Sequence, residues 1–140
     1  MSKKKNYTIV QFETDDFYHY TLDLVLYNMN QKPAIKVTNK KELRKIVKDI
    51  QNKKIKPDVA IIDTYIDIDH DDGEKIAQKL REIYPEIKII GYSIMETSKW
   101  ADYEIIKSNK DQTKTIVKIL EKVLGIDFSW ANTPDPEYST

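Results

Sequence analysis

Four apolar runs in this chain each end on a side chain able to do chemistry. IVQF is followed by Glu13, Thr14, Asp15 and Asp16, VAII by Asp63, IIGY by Ser93, and YEII by Lys107. Brought together, these would make a cluster of carboxylates with a hydroxyl and an ammonium. Carboxylates held close repel unless a cation sits among them, and hard oxygen ligands with room for water suit Mg²⁺. A carboxylate beside such a metal can attack a phosphoryl group. The metal, an ammonium and a hydroxyl would then neutralise charge on the transferred oxygens.

Convergence depends on the elements that carry these residues. Five short apolar runs have strand length: TIVQF (8 to 12), AIKV (34 to 37), VAII (59 to 62), IKII (87 to 90) and YEII (103 to 106). Amphipathic stretches separate or follow them. Leu22, Val25, Leu26 and Met29 recur at helical spacing, as do Leu43, Ile46, Val47 and Ile50, then Ile76, Leu80 and Ile83, and finally Ile116, Ile119, Leu120 and Val123. Asn39 and Asp72 are placed to cap the second and third helices, Pro85 follows the third, and Gly125 sits where a left-handed C-terminal residue belongs. Strands alternating with helices imply a parallel sheet covered on both faces. VAII lacks polar alternation, as a doubly buried strand should. In such sheets ligands sit beyond the carboxyl ends of the strands, where Asp63 and its companions lie.

The order of these residues resembles the receiver domain of two-component response regulators, over residues 7–125. The resemblance implies a doubly wound α/β fold with a five-stranded parallel sheet in the order 2-1-3-4-5. It implies Asp63 as phosphoacceptor, Ser93 as the hydroxyl that reports on the phosphoryl group, and Lys107 as the bridging cation. Mg²⁺ would be held from among Glu13, Asp15, Asp16, Asp63 and Tyr65. Helical spacing back from Leu22 and Leu26 favours Glu13 with Asp15 over Asp15 with Asp16. The implied partners are a histidine kinase or phosphotransfer protein and a downstream protein, with a homodimer possible; the domain is a phosphoacceptor and not an enzyme in its own right.

Several features depart from the family pattern. The loop from Asp63 to Gly73 is long, acidic and without proline, Ile94 follows Ser93, and Ser108 in place of proline follows Lys107. Only 14 positions separate Ser93 from Lys107, which predicts a shortened fourth helix, with 95–101 irregular or a single turn. Glu104 occupies the position of the family's signalling aromatic, so it should resist burial unless paired. These features leave open a pseudo-receiver that binds partners without phosphorylation, and a small enzyme or metal-binding domain of the same class. Asp67, Asp69 and Asp71 invite a calcium-loop reading, but Asp72 and Gln78 stand at its sixth and twelfth positions, where Gly and Glu belong.

Composition sets the outer bounds. The 140 residues suit one domain, and 23 Lys and Arg against 23 Asp and Glu give no global attraction to nucleic acid or membrane. The absence of cysteine fits a cytoplasmic setting. Residues 1–6 read as a basic tail, and 126–140, with two prolines and no period, as a mobile one. His19 and His70 lack a metal-ligand partner at helical or hairpin spacing and read as solvated.

Overall fold

A computed structural model describes residues 6–66, 72–108 and 110–125. The terminal segments read above as tails therefore lie almost wholly outside the described residues, as do His70 and most of the acidic loop. The elements run β1 (Ile9–Phe12), α1 (Asp16–Asn28), β2 (Ile35–Val37), α2 (Lys40–Gln51), β3 (Val59–Ile62), α3 (Gly73–Ile83), β4 (Lys88–Ser93), β5 (Tyr103–Ile106) and α4 (Gln112–Leu124). All strand pairs are parallel and the sheet order is β2-β1-β3-β4-β5. This is the doubly wound architecture that the sequence predicts.

The strand side chains explain why both faces must be covered. Along β3, Val59 and Ile61 join one core with Leu22, Val25 and Leu26 of α1 and Ile116 and Leu120 of α4. Ala60 and Ile62 point the other way, into a core with Ile46 and Ile50 of α2 and Ile76 and Leu80 of α3. This alternation follows from the two-residue period of a strand. Each fully buried Val or Ile contributes about 1.5–3 kcal/mol. A polar residue at any of the four β3 positions would therefore be severely destabilising.

Two of the expected helix boundaries hold at the level of hydrogen bonds. The Asn39 side chain accepts from the Glu42 amide (2.9 Å), and Gly125 takes the left-handed conformation at φ 68°. Asp72 sits at the N-cap position of α3, but its backbone is helical and its side chain makes no capping bond. The sequence signal there gave the right place and the wrong mechanism: an Asp with helical φ and ψ cannot turn its carboxylate back onto the N3 amide. β4 extends to Ser93, three residues beyond its apolar run. Turns, and no helix, connect β4 to β5.

That connection is held at several points. Thr97 is fully buried against Gly91, where an added Cβ would lie 2.0 Å from Thr97 Oγ1. Glu104 Oε2 accepts from the Thr97 amide at 2.6 Å, so this β5 carboxylate is paired across the connection. Trp100 packs into the α2–α3 core, and its carbonyl accepts from Arg81 Nη1 at 2.6 Å. Arg81 also pairs with Asp102 at 3.2 Å, while Asp102 accepts from the Ile89 amide.

Candidate functional site

Sheet register brings the reactive residues to one edge. Phe12 and Ile62 are partners across β1 and β3, so Glu13 and Asp63 leave the sheet side by side, with the Asp63 amide donating to the Phe12 carbonyl at 3.0 Å. Ser93 and Ile106 are partners across β4 and β5, and the Lys107 amide donates to the Ser93 carbonyl at 2.9 Å.

The side chains meet at Lys107. Its Nζ lies 2.7 Å from Glu13 Oε1 and 3.3 Å from Asp63 Oδ2, and all three groups are largely shielded from water. Each carboxylate also accepts a backbone amide on its other oxygen: Asp15 N donates to Glu13 Oε2 at 3.0 Å, and Thr64 N to Asp63 Oδ1 at 2.8 Å. Buried charges persist only with such pairing. One ammonium against two carboxylates still leaves the cluster one negative charge in excess when all are ionised. Glu13 bears the consequence. Desolvation holds its pKa above the usual carboxylate range, with the Asp63 charge acting in the same direction, while hydrogen bonding to Lys107 and the Asp15 amide acts against it.

A hydroxyl pair lies at the adjoining strand end. Ser93 Oγ donates to Thr64 Oγ1 at 2.9 Å and accepts from the Met95 amide at 3.1 Å. Ser93 thus links the residue after Asp63 to the start of the β4–β5 connection. Ile94, next in sequence, is exposed.

Sequence reasoning missed much of what holds this cluster. The Lys107 ammonium sits 3.9 Å above the Tyr18 ring, whose neighbour Tyr92 meets it edge-on at 5.3 Å. The Tyr92 hydroxyl donates to the Gln112 side-chain carbonyl, and the Gln112 amide donates to the Lys107 carbonyl. Burial pushes the Tyr92 phenol far above its ordinary value, so it keeps the proton that it donates. His19, read from sequence as solvated, is instead buried and donates from Nε2 to the Glu13 carbonyl at 2.6 Å. A carbonyl can only accept, so Nε2 carries the proton. Burial holds the ring's pKa below its usual value, and Nδ1 is buried without a hydrogen-bond partner. The signal was available: position 19 falls on the same helical face as Leu22 and Leu26.

The remaining acids are placed differently. Asp15 Oδ1 accepts from the Phe17 amide (2.9 Å) and caps α1, Asp16 opens that helix, and both are exposed. Tyr65 is partly exposed. Among the described residues no group of three or more carboxylate or imidazole side chains is arranged to hold a metal. Glu13 and Asp63 do converge. Mg²⁺ is commonly held by one or two carboxylates with waters and phosphate oxygens completing its shell. The one negative charge that Lys107 leaves in excess fits such a cation, which Glu13 and Asp63 would hold.

No family model matches the chain, and no curated protein sequence matches it. Solved structures do. A response regulator from Thermotoga maritima is 13% identical with a TM-score of 0.68, the match covering 86% of this chain and 99% of that one. The BeF3-activated receiver domain of DrrB is 14% identical with a TM-score of 0.65 over the same shares of the two chains. A CheY-like response regulator receiver domain protein from Methanospirillum hungatei is 17% identical with a TM-score of 0.67, covering 86% of this chain and 96% of that one. At such identities the likeness is one of architecture: this chain has the fold of response regulator receiver domains.

Proposed function

We propose that the chain is a receiver that accepts a phosphoryl group on Asp63 and thereby changes its affinity for a protein partner. The observation that carries this reading is the Lys107 ammonium shared between Glu13 and Asp63 at a parallel-sheet edge. A carboxylate oxygen of Asp63 attacks the phosphorus of a phosphorylated donor, a histidine kinase or phosphotransfer protein, forming an O–P bond as the bond from phosphorus to the donor breaks on the opposite side. Lys107 then pairs with a phosphoryl oxygen, a stronger acceptor than the carboxylate it now holds at 3.3 Å. Glu13 and Asp63 are the groups that would hold Mg²⁺, which when bound supplies further neutralisation of the phosphoryl oxygens. Ser93 Oγ turns from Thr64 toward the phosphoryl group and draws the start of the β4–β5 connection with it. The chain acts as phosphoacceptor and carries no separate catalytic activity. Its lack of cysteine supports a cytoplasmic setting.

A second reading, a receiver-shaped module that binds partners without switching, is favoured by the fixed β4–β5 connection. Thr97 lodged on Gly91 and tied to Glu104, with Trp100 in the core, leaves that segment little room to move. Beryllofluoride, a phosphoryl mimic, separates the two. With Mg²⁺ it should shift amide resonances of 93–101 and 64–73 in wild type, and Ser93→Ala should lose the 93–101 shifts while retaining those beside Asp63. Unchanged spectra in wild type would refute the switching receiver.

A further inference from the structure

Helices α2 and α3 enclose a groove that the Asp63 cluster does not use. Its volume is about 530 Å³, and its floor is apolar, made by Leu43 and Val47 of α2 and Ile76 of α3. Both helices connect parallel strands, so they run in the same direction along the groove. Their outer edges bear cations one turn apart: Arg44 and Lys48 on α2, Lys75 and Lys79 on α3, all exposed. Among the described residues none of these four joins an ion pair. The chain as a whole has equal numbers of cationic and acidic residues, so this concentration is local. Among the described residues Asp72 is the one acid lining the groove, and its Oδ2 is buried without a hydrogen-bond partner.

We propose that this groove binds an acidic amphipathic helix of a partner protein. Apolar side chains at helical spacing would fill the floor, and acids on both flanks would meet the two cation rows. α2 has 12 residues, so the cradle is about 18 Å long and accommodates some three turns of a docked helix. The concave apolar floor favours this occupant over a lipid surface or a nucleic acid, whose phosphates would meet the cations and leave Leu43 and Val47 uncovered. The groove lies across the sheet from α1 and α4, and no residue of the Asp63 cluster lines it.

The test uses the full chain and a fluorescein-labelled synthetic peptide of about five helical turns, with Leu along one face and Glu on both flanks. Anisotropy should show saturable binding that weakens with salt, and amide shifts should map to α2 and α3. The doubles K75E/K79E and R44E/K48E should each weaken binding about tenfold or more, with thermal midpoints unchanged because the positions are exposed. A peptide with Lys in place of Glu should not bind. Wild-type affinity in both doubles would overturn the proposal. So would failure of the peptide to bind, whether or not phosphatidylserine vesicles or duplex DNA bind instead.

Discussion

Replacing Lys107 with Met retains most of the side chain's volume and removes its charge, leaving Glu13 and Asp63 facing each other. Their oxygens both touch one ammonium, so they are no more than about 6 Å apart. At an effective dielectric of about 20, two unit charges at that separation repel by roughly 3 kcal/mol. Removing one partner of a buried ion pair costs about 3–5 kcal/mol in total, and the cation–π contact with Tyr18 is lost as well. Much of this loss should depend on pH. Glu13, already raised by burial, takes up a proton first in the variant, which ends the repulsion. Urea unfolding should therefore place the midpoint of Lys107→Met well below wild type at pH 7.5, by about 1–3 M for an m-value near 2 kcal/mol/M. At pH 5 the gap should close by half or more. A pH-independent loss under about 1 kcal/mol would refute the idea that Lys107 compensates two buried carboxylates.

Mg²⁺ should raise the wild-type thermal midpoint with the logarithm of its free concentration, since it binds the native state alone, and Asp63→Asn should lose that rise; a metal-independent wild-type midpoint in calorimetry counts against the site. His19 has a lowered folded pKa, so its contribution to stability is present above the unfolded value of 6.5 and is lost as pH falls through the folded one. Glu13, raised from 4.5, has the opposite sign: its contribution is full below 4.5 and is lost as pH rises through the folded value. His19→Gln keeps a donor for the Glu13 carbonyl and removes the first effect, so between pH 7 and 5 it should gain stability relative to wild type in urea titrations. Gly91→Ala should cost about 1–3 kcal/mol through overpacking, because its Cβ would fall 2.0 Å from Thr97 Oγ1. Adding Thr97→Gly should recover part of that loss in a double-mutant cycle.

The fold was legible because its signals are local. The uninterrupted apolar run VAII and the helical recurrence of Leu43, Ile46, Val47 and Ile50 need no knowledge of partners. The short interval from Ser93 to Lys107, set against the longer one of the family it resembles, likewise predicts a shortened or irregular segment where turns are found. The convergence of Glu13, Asp63, Ser93 and Lys107 at one edge followed from topology, since parallel strands present all their carboxyl ends together. What holds them there was not legible. Tyr18, Tyr92 and Gln112 act through ring stacking and side-chain bonds between distant segments, which no spacing encodes. The Ser93–Thr64 bond joins residues 29 positions apart. His19 reads as solvated when considered only as a metal ligand, although its helical phase with Leu22 and Leu26 marks it as buried. Asp72 shows the converse failure, a residue type suited to capping whose backbone geometry prevents it.

The central claim is that Asp63 accepts a phosphoryl group, and intact-protein mass spectrometry after incubation with acetyl phosphate and Mg²⁺ tests it most directly. The account predicts one added phosphoryl group in wild type, none in Asp63→Asn, and strongly reduced addition in Lys107→Ala. An unchanged wild-type mass, or equal addition in Asp63→Asn, would contradict it.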